Sequence, residues 1–173
     1  MKIYFFRALI FLFIIFVLGV FFLSLNKSKI YDTKNVIGQN LHNFELKSLS
    51  GFETINEQDL KKNKFTLLNF WASWCGPCRL EHVHLMNLKE NDTNLKILGI
   101  NFKDKKNNAL NFLSDHGNPY YLTAKDIDGK IAVNFGVYGI PESILVNKDL
   151  VVIKKFIGPL MKEDYREILR LIK

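Results

Sequence analysis

Cysteine is scarce in this chain: Cys75 and Cys78 are the only two among 173 residues. Without a second pair, a four-cysteine zinc site is excluded. No histidine follows Cys78, because residue 79 is arginine, so the Cys-x-x-Cys-His pattern of covalent haem attachment is excluded as well. Acidic residues are missing from the first 25 positions, and no charge of either sign interrupts Ala8 to Leu25, "ALIFLFIIFVLGVFFLSL". The following "LSLNKSK" lacks the small-x-small site at which signal peptides are cut, which favours an uncleaved anchor over a cleavable signal. The net charge is +7, yet no dense basic stripe with interleaved aromatics is present, so nucleic acid is not an expected partner. There is no internal repeat and no peroxide-binding motif.

As a helix, Ala8 to Leu25 would extend about 27 Å, close to a bilayer core of about 30 Å. Lys2 and Arg7 precede it; Lys27 and Lys29 follow it, so the positive-inside rule only slightly prefers an inner amino terminus. Residues 1–7 are expected as a cytoplasmic N-terminus, 8–25 as the transmembrane anchor, 26–36 as a polar linker and 37–173 as one domain. Apolar residues make up 48% of the chain, enough for a real core. Lys2 and Arg7 account for two of the seven net charges, leaving +5 on residues 26–173, spread over the surface.

Within that domain, "NFELKSLSGFETI" alternates about Ser50-Gly51 as a hairpin does. Asn56 to Lys62 reads as a short helix with Asn56 as its cap. "KFTLLNFW", Lys64 to Trp71, suits a central strand buried on both faces. Cys75 to about Glu90 follows helical spacing, with Leu80, Val83, Leu85, Met86 and Leu88 as apolar positions. "LKILGINF" is a second buried strand, residues 105–116 a helix closed by His116-Gly117, and "YYLTAKD" a short strand. Asp128-Gly129 turns into a helix ending near Phe135. "SILVN" and "VVIKKFIG" form a hairpin about Asn147-Lys148-Asp149, and "KEDYREILRLIK" ends the chain as an amphipathic helix. The order predicts an α/β fold, a mixed sheet flanked by helices with an antiparallel end.

"WASWCGPCR", Trp71 to Arg79, carries the chemistry. Zinc is one reading, since Cys75, Cys78, His82 and His84 offer four ligands. His84 lies two residues from His82, however, and so points about 200° away around the helix. An inert staple is poorly served by so small a loop, whose closure removes little chain entropy. Thiol–disulfide exchange fits better. A strand ends at Trp71 and a helix starts at Cys75, where free N–H groups and the helix dipole favour a thiolate below the usual cysteine value of about 8.5. Cys78, one turn further in, can close the disulfide, and Pro77 sits in the first turn, where a missing N–H costs little. Cys75 is expected to attack and Cys78 to resolve. Trp74 is expected on the exposed contact surface and Trp71 in the core. His82 and His84 are expected at the surface rather than as ligands, and Tyr138 is expected along the groove.

"LLNFWASWCGPCR" resembles the active-site segment of thioredoxin-like proteins. With "GIN", "HGNPY", "GVYGIPES" and "GPL" in that order, residues 37–165 and the anchor resemble the membrane-anchored CcmG/DsbE group of cytochrome c-biogenesis thiol–disulfide reductases. The resemblance implies a thioredoxin-like fold. It implies that Pro141 is a cis-proline facing the disulfide and that Ile140 offers its backbone to an extended client. It matches Glu81 and Glu142 to acidic residues near the sulfurs, able to shift the thiol pKa and pass a proton. Asn69 stands where thioredoxins carry a buried Asp. Ser143 replaces a usual Thr and Phe102 a common Tyr, both expected to leave the sulfur chemistry untouched. By the same resemblance the client is an apocytochrome c. The donor is a membrane carrier relaying electrons from cytoplasmic thioredoxin. The place is a bacterial inner membrane, with the domain on the periplasmic side. No cofactor is implied, since the electrons pass through sulfur alone. A general extracytoplasmic oxidoreductase and a non-catalytic module that binds apocytochrome or zinc remain as alternatives.

Overall fold

Eighteen uncharged residues in succession become part of one helix in the computed structural model, α1 (Lys2–Leu25). At 1.5 Å per residue its 24 residues span about 36 Å. Among the described residues it is the one helix long and apolar enough to cross a membrane. The structure describes residues 2–25, 36–91 and 94–173. The expected linker, apart from Val36, lies outside them, as do Lys27 and Lys29. The chain divides into two units, Met1–Asp32 and Thr33–Lys173.

The described residues of the second unit form a seven-stranded mixed sheet with five helices. In chain order these are β1 (Glu45–Ser48), β2 (Thr54–Asn56), α2 (Glu57–Leu60), β3 (Phe65–Trp71), α3 (Gly76–Asn91), β4 (Leu95–Phe102), α4 (Lys106–His116), β5 (Leu122–Asp126), α5 (Lys130–Asn134), β6 (Glu142–Asn147), β7 (Val152–Ile157) and α6 (Lys162–Leu171). The strand order is β2-β1-β5-β4-β3-β6-β7. β3, β4 and β5 run parallel, joined by α3 and α4; β6 and β7 close one side antiparallel, and β1 and β2 the other. Asn56 caps α2 as its sequence position implies, accepting from Gln58 N–H while Asp59 accepts from Asn56 N–H.

Every residue of β3 after Phe65 is buried. Alternation along the strand sends Leu67 and Trp71 into one core layer, with Leu85 and Leu88 of α3, Phe112 of α4 and Ile168 of α6. Leu68 and Phe70 enter the other layer, with Leu60 of α2 and Ala132 of α5. Asn69 lies in the first row, between Leu67 and Trp71, and is fully buried. Position 69 is therefore a polar interruption of an apolar face, placed under α3.

Candidate active site

β3 ends at Trp71, a short turn follows, and α3 begins at Gly76. Cys75 therefore occupies the position just before the helix, and Cys78 its first turn. The two are joined in a disulfide with their Cα atoms 5.3 Å apart. The N–H of Cys78 donates to Cys75 Sγ across 3.1 Å. That bond comes from one of the free amides at the helix start, which together favour negative charge there. A thiolate on Cys75 would meet the same donor; among the described residues Cys78 Sγ has no equivalent. Exposure separates the sulfurs far less than their positions imply, since Cys75 is 4% exposed and Cys78 3%.

The turn carrying Cys75 is fastened from the β4–α4 connection. Asp104 accepts from Ser73 N–H (2.6 Å), Ser73 Oγ (3.0 Å) and Asn101 Nδ2 (3.1 Å). Trp74 Nε1 donates to Lys103 O at 3.2 Å, which leaves the indole standing out, 59% exposed.

Beneath α3 lies a closed polar network. Asn69 Nδ2 donates to Glu81 Oε1 at 2.8 Å and to Ser143 Oγ at 3.0 Å. Leu160 N–H donates to Glu81 Oε2 at 2.9 Å, and Tyr120 OH donates to Asn69 Oδ1 at 2.9 Å. Glu81 has no exposed surface, and burial raises its carboxyl to about 7 against the pull of those two donors. A carboxyl that changes charge near neutrality, one turn beyond Cys78 on the same helix, is suited to take and return a proton.

Comparison with known proteins agrees with this geometry. The Redoxin family model matches residues 37–169. The thiol:disulfide interchange protein DsbE of Vibrio cholerae is 32% identical over 156 residues, covering 87% of this chain and 84% of that protein. The chain belongs to the Redoxin family, in its CcmG/DsbE thiol:disulfide interchange group. CycY of Rhizobium leguminosarum is 51% identical over 98 residues, covering 57% of this chain and 52% of that protein. The DsbE homolog of Paracoccus denitrificans matches over 64% of its own length. The chain thus spans between half and two thirds of these two relatives. A Chlorobium tepidum protein assigned as DsbE has the same fold, with a TM-score of 0.69, 25% identity, and coverage of 79% of this chain and 94% of that one.

On this Redoxin-family frame the expected site residues fall into two groups. Cys75, Cys78, Glu81 and Trp74 belong to the turn and α3; Ile140 and Pro141 precede β6, joined by a cis peptide bond. Pro141 is buried and Ile140 half-buried, packed against the same core layer as the two cysteines. Glu142 departs from expectation. It pairs in register with Phe70, whereas Ser143 pairs with Asn69, so its side chain enters the opposite layer from Glu81. There its Oε2 lies 2.9 Å from Lys155 Nζ as an ion pair, and its Oε1 accepts from Tyr138 N–H at 3.3 Å. Lys155, fully buried, donates to Gly136 O. A charge neutralised on the far side of the sheet is badly placed to act on the sulfurs; Glu142 and Lys155 instead tie down residues 136–142.

One further expectation fails. His82 is buried, not superficial: its Nε2 donates to Gly117 O at 3.0 Å, its ring meets Phe112 edge-on at 5.2 Å, and burial lowers its pKa. His84 is half-buried beside Tyr165. Among the described residues no group of three or more His, Cys, Asp and Glu side chains is gathered as for a metal. Ser143 joins the network under α3 through its hydroxyl, a group that Thr also carries. Tyr138 is 67% exposed, and Trp71 is buried as expected. Asp104, Tyr120 and Lys155 were not foreseen. Tyr120 lies within "HGNPY", and Lys155 is a charge at a buried strand position; Asp104 has no local signal at all.

Proposed function

We propose that this protein is a thiol–disulfide oxidoreductase that reduces the disulfide of an apocytochrome c on the periplasmic face of a bacterial inner membrane, with α1 as its single span. The observation that carries the reading is the Cys78 N–H aimed at Cys75 Sγ at the start of α3. In the reduced protein the Cys75 thiolate attacks one sulfur of the client disulfide. A mixed disulfide forms and one client thiolate leaves. Cys78 then gives its proton to the buried carboxylate of Glu81 and attacks Cys75 Sγ, expelling the second client thiolate. Two electrons pass from the Cys75–Cys78 pair to the client, and the protein ends in the disulfide state. No cofactor is required by this balance. A membrane electron carrier supplied by cytoplasmic thioredoxin would return the pair to the dithiol.

Ile140 and Pro141 would receive the client's backbone beside the sulfurs, and the projecting Trp74 would contact its side chains. Glu142 acts indirectly, by holding this loop with Lys155. The group to which the relatives belong supports the client assignment; the sulfur chemistry stands on the geometry.

The test is capture. A Cys78→Ala variant, purified from cells making c-type cytochromes, should carry apocytochrome joined to Cys75 through a bond that reductant releases. If Cys78→Ala or Cys75→Ser supports full cytochrome c maturation, the exchange mechanism is wrong. If Cys75 captures many unrelated proteins in equal amounts, the specific client is wrong.

A further inference from the structure

Four side chains from distant parts of the chain meet beneath α3: Asn69 on β3, Glu81 on α3, Tyr120 just before β5, and Ser143 on β6. The amide of Asn69 has two unlike ends. Its Nδ2 faces Glu81 and Ser143, and its Oδ1 faces Tyr120. Turned over, the amide would set Oδ1 against Glu81 Oε1, and two acceptors can share a hydrogen bond only if the carboxyl is protonated. Something must fix which end faces Glu81. Ser143 cannot, because its Oγ accepts from Nδ2 and, were the amide turned, would donate to Oδ1 instead, satisfied either way. Leu160 N–H bonds the other carboxylate oxygen and does not touch the amide.

Tyr120 is the selector: it gives its proton to Asn69 Oδ1, the one acceptor shown for it among the described residues, and a turned amide would leave that buried proton without one. The fold is shaped to place it. Its ring lies over Gly99, where an added Cβ would come within 2.6 Å of ring carbon Cγ. Its other neighbour is Trp71, stacked at 5.4 Å with 24° between the planes. Full burial and the nearby Glu81 raise the phenol well above its usual value, so it remains a donor across the working range of pH.

We infer that Tyr120 is a positioning residue for the exchange reaction: its hydroxyl locks the Asn69 amide with N–H toward Glu81, and this sets the pH at which Glu81 takes up and gives back its proton. The inference rests on the reading of Glu81 as the proton carrier. Asp164 from α6 also raises Glu81, and Cys78 precedes it by one turn on its own helix. The Glu142–Lys155 pair lies in the opposite layer.

Tyr120→Phe removes one oxygen and keeps the ring. In the oxidised full-length protein in detergent, the cysteines do not titrate. The carboxyl infrared band that is lost in Glu81→Gln then reports Glu81 alone. With no buried phenol proton to leave unpaired, the amide can turn when Glu81 is protonated, so the Tyr120→Phe midpoint should move up by about one to two pH units. The inflection in the pH–rate profile for reduction of a disulfide peptide should move with it. A simple packing defect would lower thermal stability and leave both midpoints in place. An unmoved infrared midpoint overturns the inference. A moved midpoint with an unmoved rate inflection overturns the role of Glu81 as proton carrier, and the inference with it. Should Tyr120→Phe fail to fold, global replacement with 3-fluorotyrosine keeps every ring and strengthens the phenol as a donor. The midpoint should then fall, and no change would again overturn the inference.

Discussion

Glu81 is an acid kept out of water by its own helix and by β3. Its carboxyl is raised from 4.5 to about 7, so the folded chain holds this proton more tightly than the unfolded chain. The resulting stabilisation is complete below pH 4.5 and is lost as the pH rises through 7. At ~1.4 kcal/mol per pH unit, that amounts to about 3 kcal/mol. Glu81→Gln cannot titrate. In urea unfolding of the oxidised protein, the stability of wild type minus that of Glu81→Gln should therefore fall by about 3 kcal/mol between pH 4.5 and 8. A difference that stays flat would mean the carboxyl titrates as if in water. His82 works in the other direction, its neutral form being favoured by burial, but it is present in both proteins and cancels.

The elements show where reading a sequence succeeds. β3 announces itself by a dense apolar run, α2 by Asn56 and Asp59, and the β6–β7 hairpin by two apolar runs about Asn147-Lys148-Asp149. The rotational setting of α3 is harder. Its buried stripe is Cys78, Glu81, His82, Leu85 and Leu88, a helical spacing of three and four. Two of the five are polar, so apolar pattern alone does not set the rotation: Leu80 and Val83 share that pattern and are 64% and 56% exposed. Glu81 and His82 are buried because Asn69, Leu160 N–H and Gly117 O satisfy them, partners 12, 79 and 35 residues away in sequence. No local window contains that information. Lys155 was hidden for a related reason: a register shift between Leu145 and Val146 changes which residues of β7 face inward. The setting of α3 predicts that Leu80→Ser or Val83→Ser changes stability by no more than about 0.5 kcal/mol, whereas Leu85→Ala lowers it by about 2–5 kcal/mol. Chemical denaturation of the three variants decides this; equal losses would mean the helix is turned otherwise.

For the molecule as a whole, α1 is the element that would fix where the proposed chemistry happens. A span of this length and composition should keep the protein in the membrane fraction through an alkaline carbonate wash, with detergent needed to release it. Release by the wash alone would reject the span. On the proposed reading, holding the sulfurs near a membrane would raise their effective concentration toward an electron donor and clients confined to the same surface. Removing residues 1–25 should then leave the reduction potential of the cysteine pair unchanged while lowering cytochrome c yield in cells.

Ile140 is half-buried against both core layers. Like a rivet passing through two plates, it is held only as firmly as the looser of them. Damage far from the sulfurs, on whichever side of the sheet, would therefore arrive at the same point of the proposed client contact, and a protein still folded by every bulk measure would already grip its client less well.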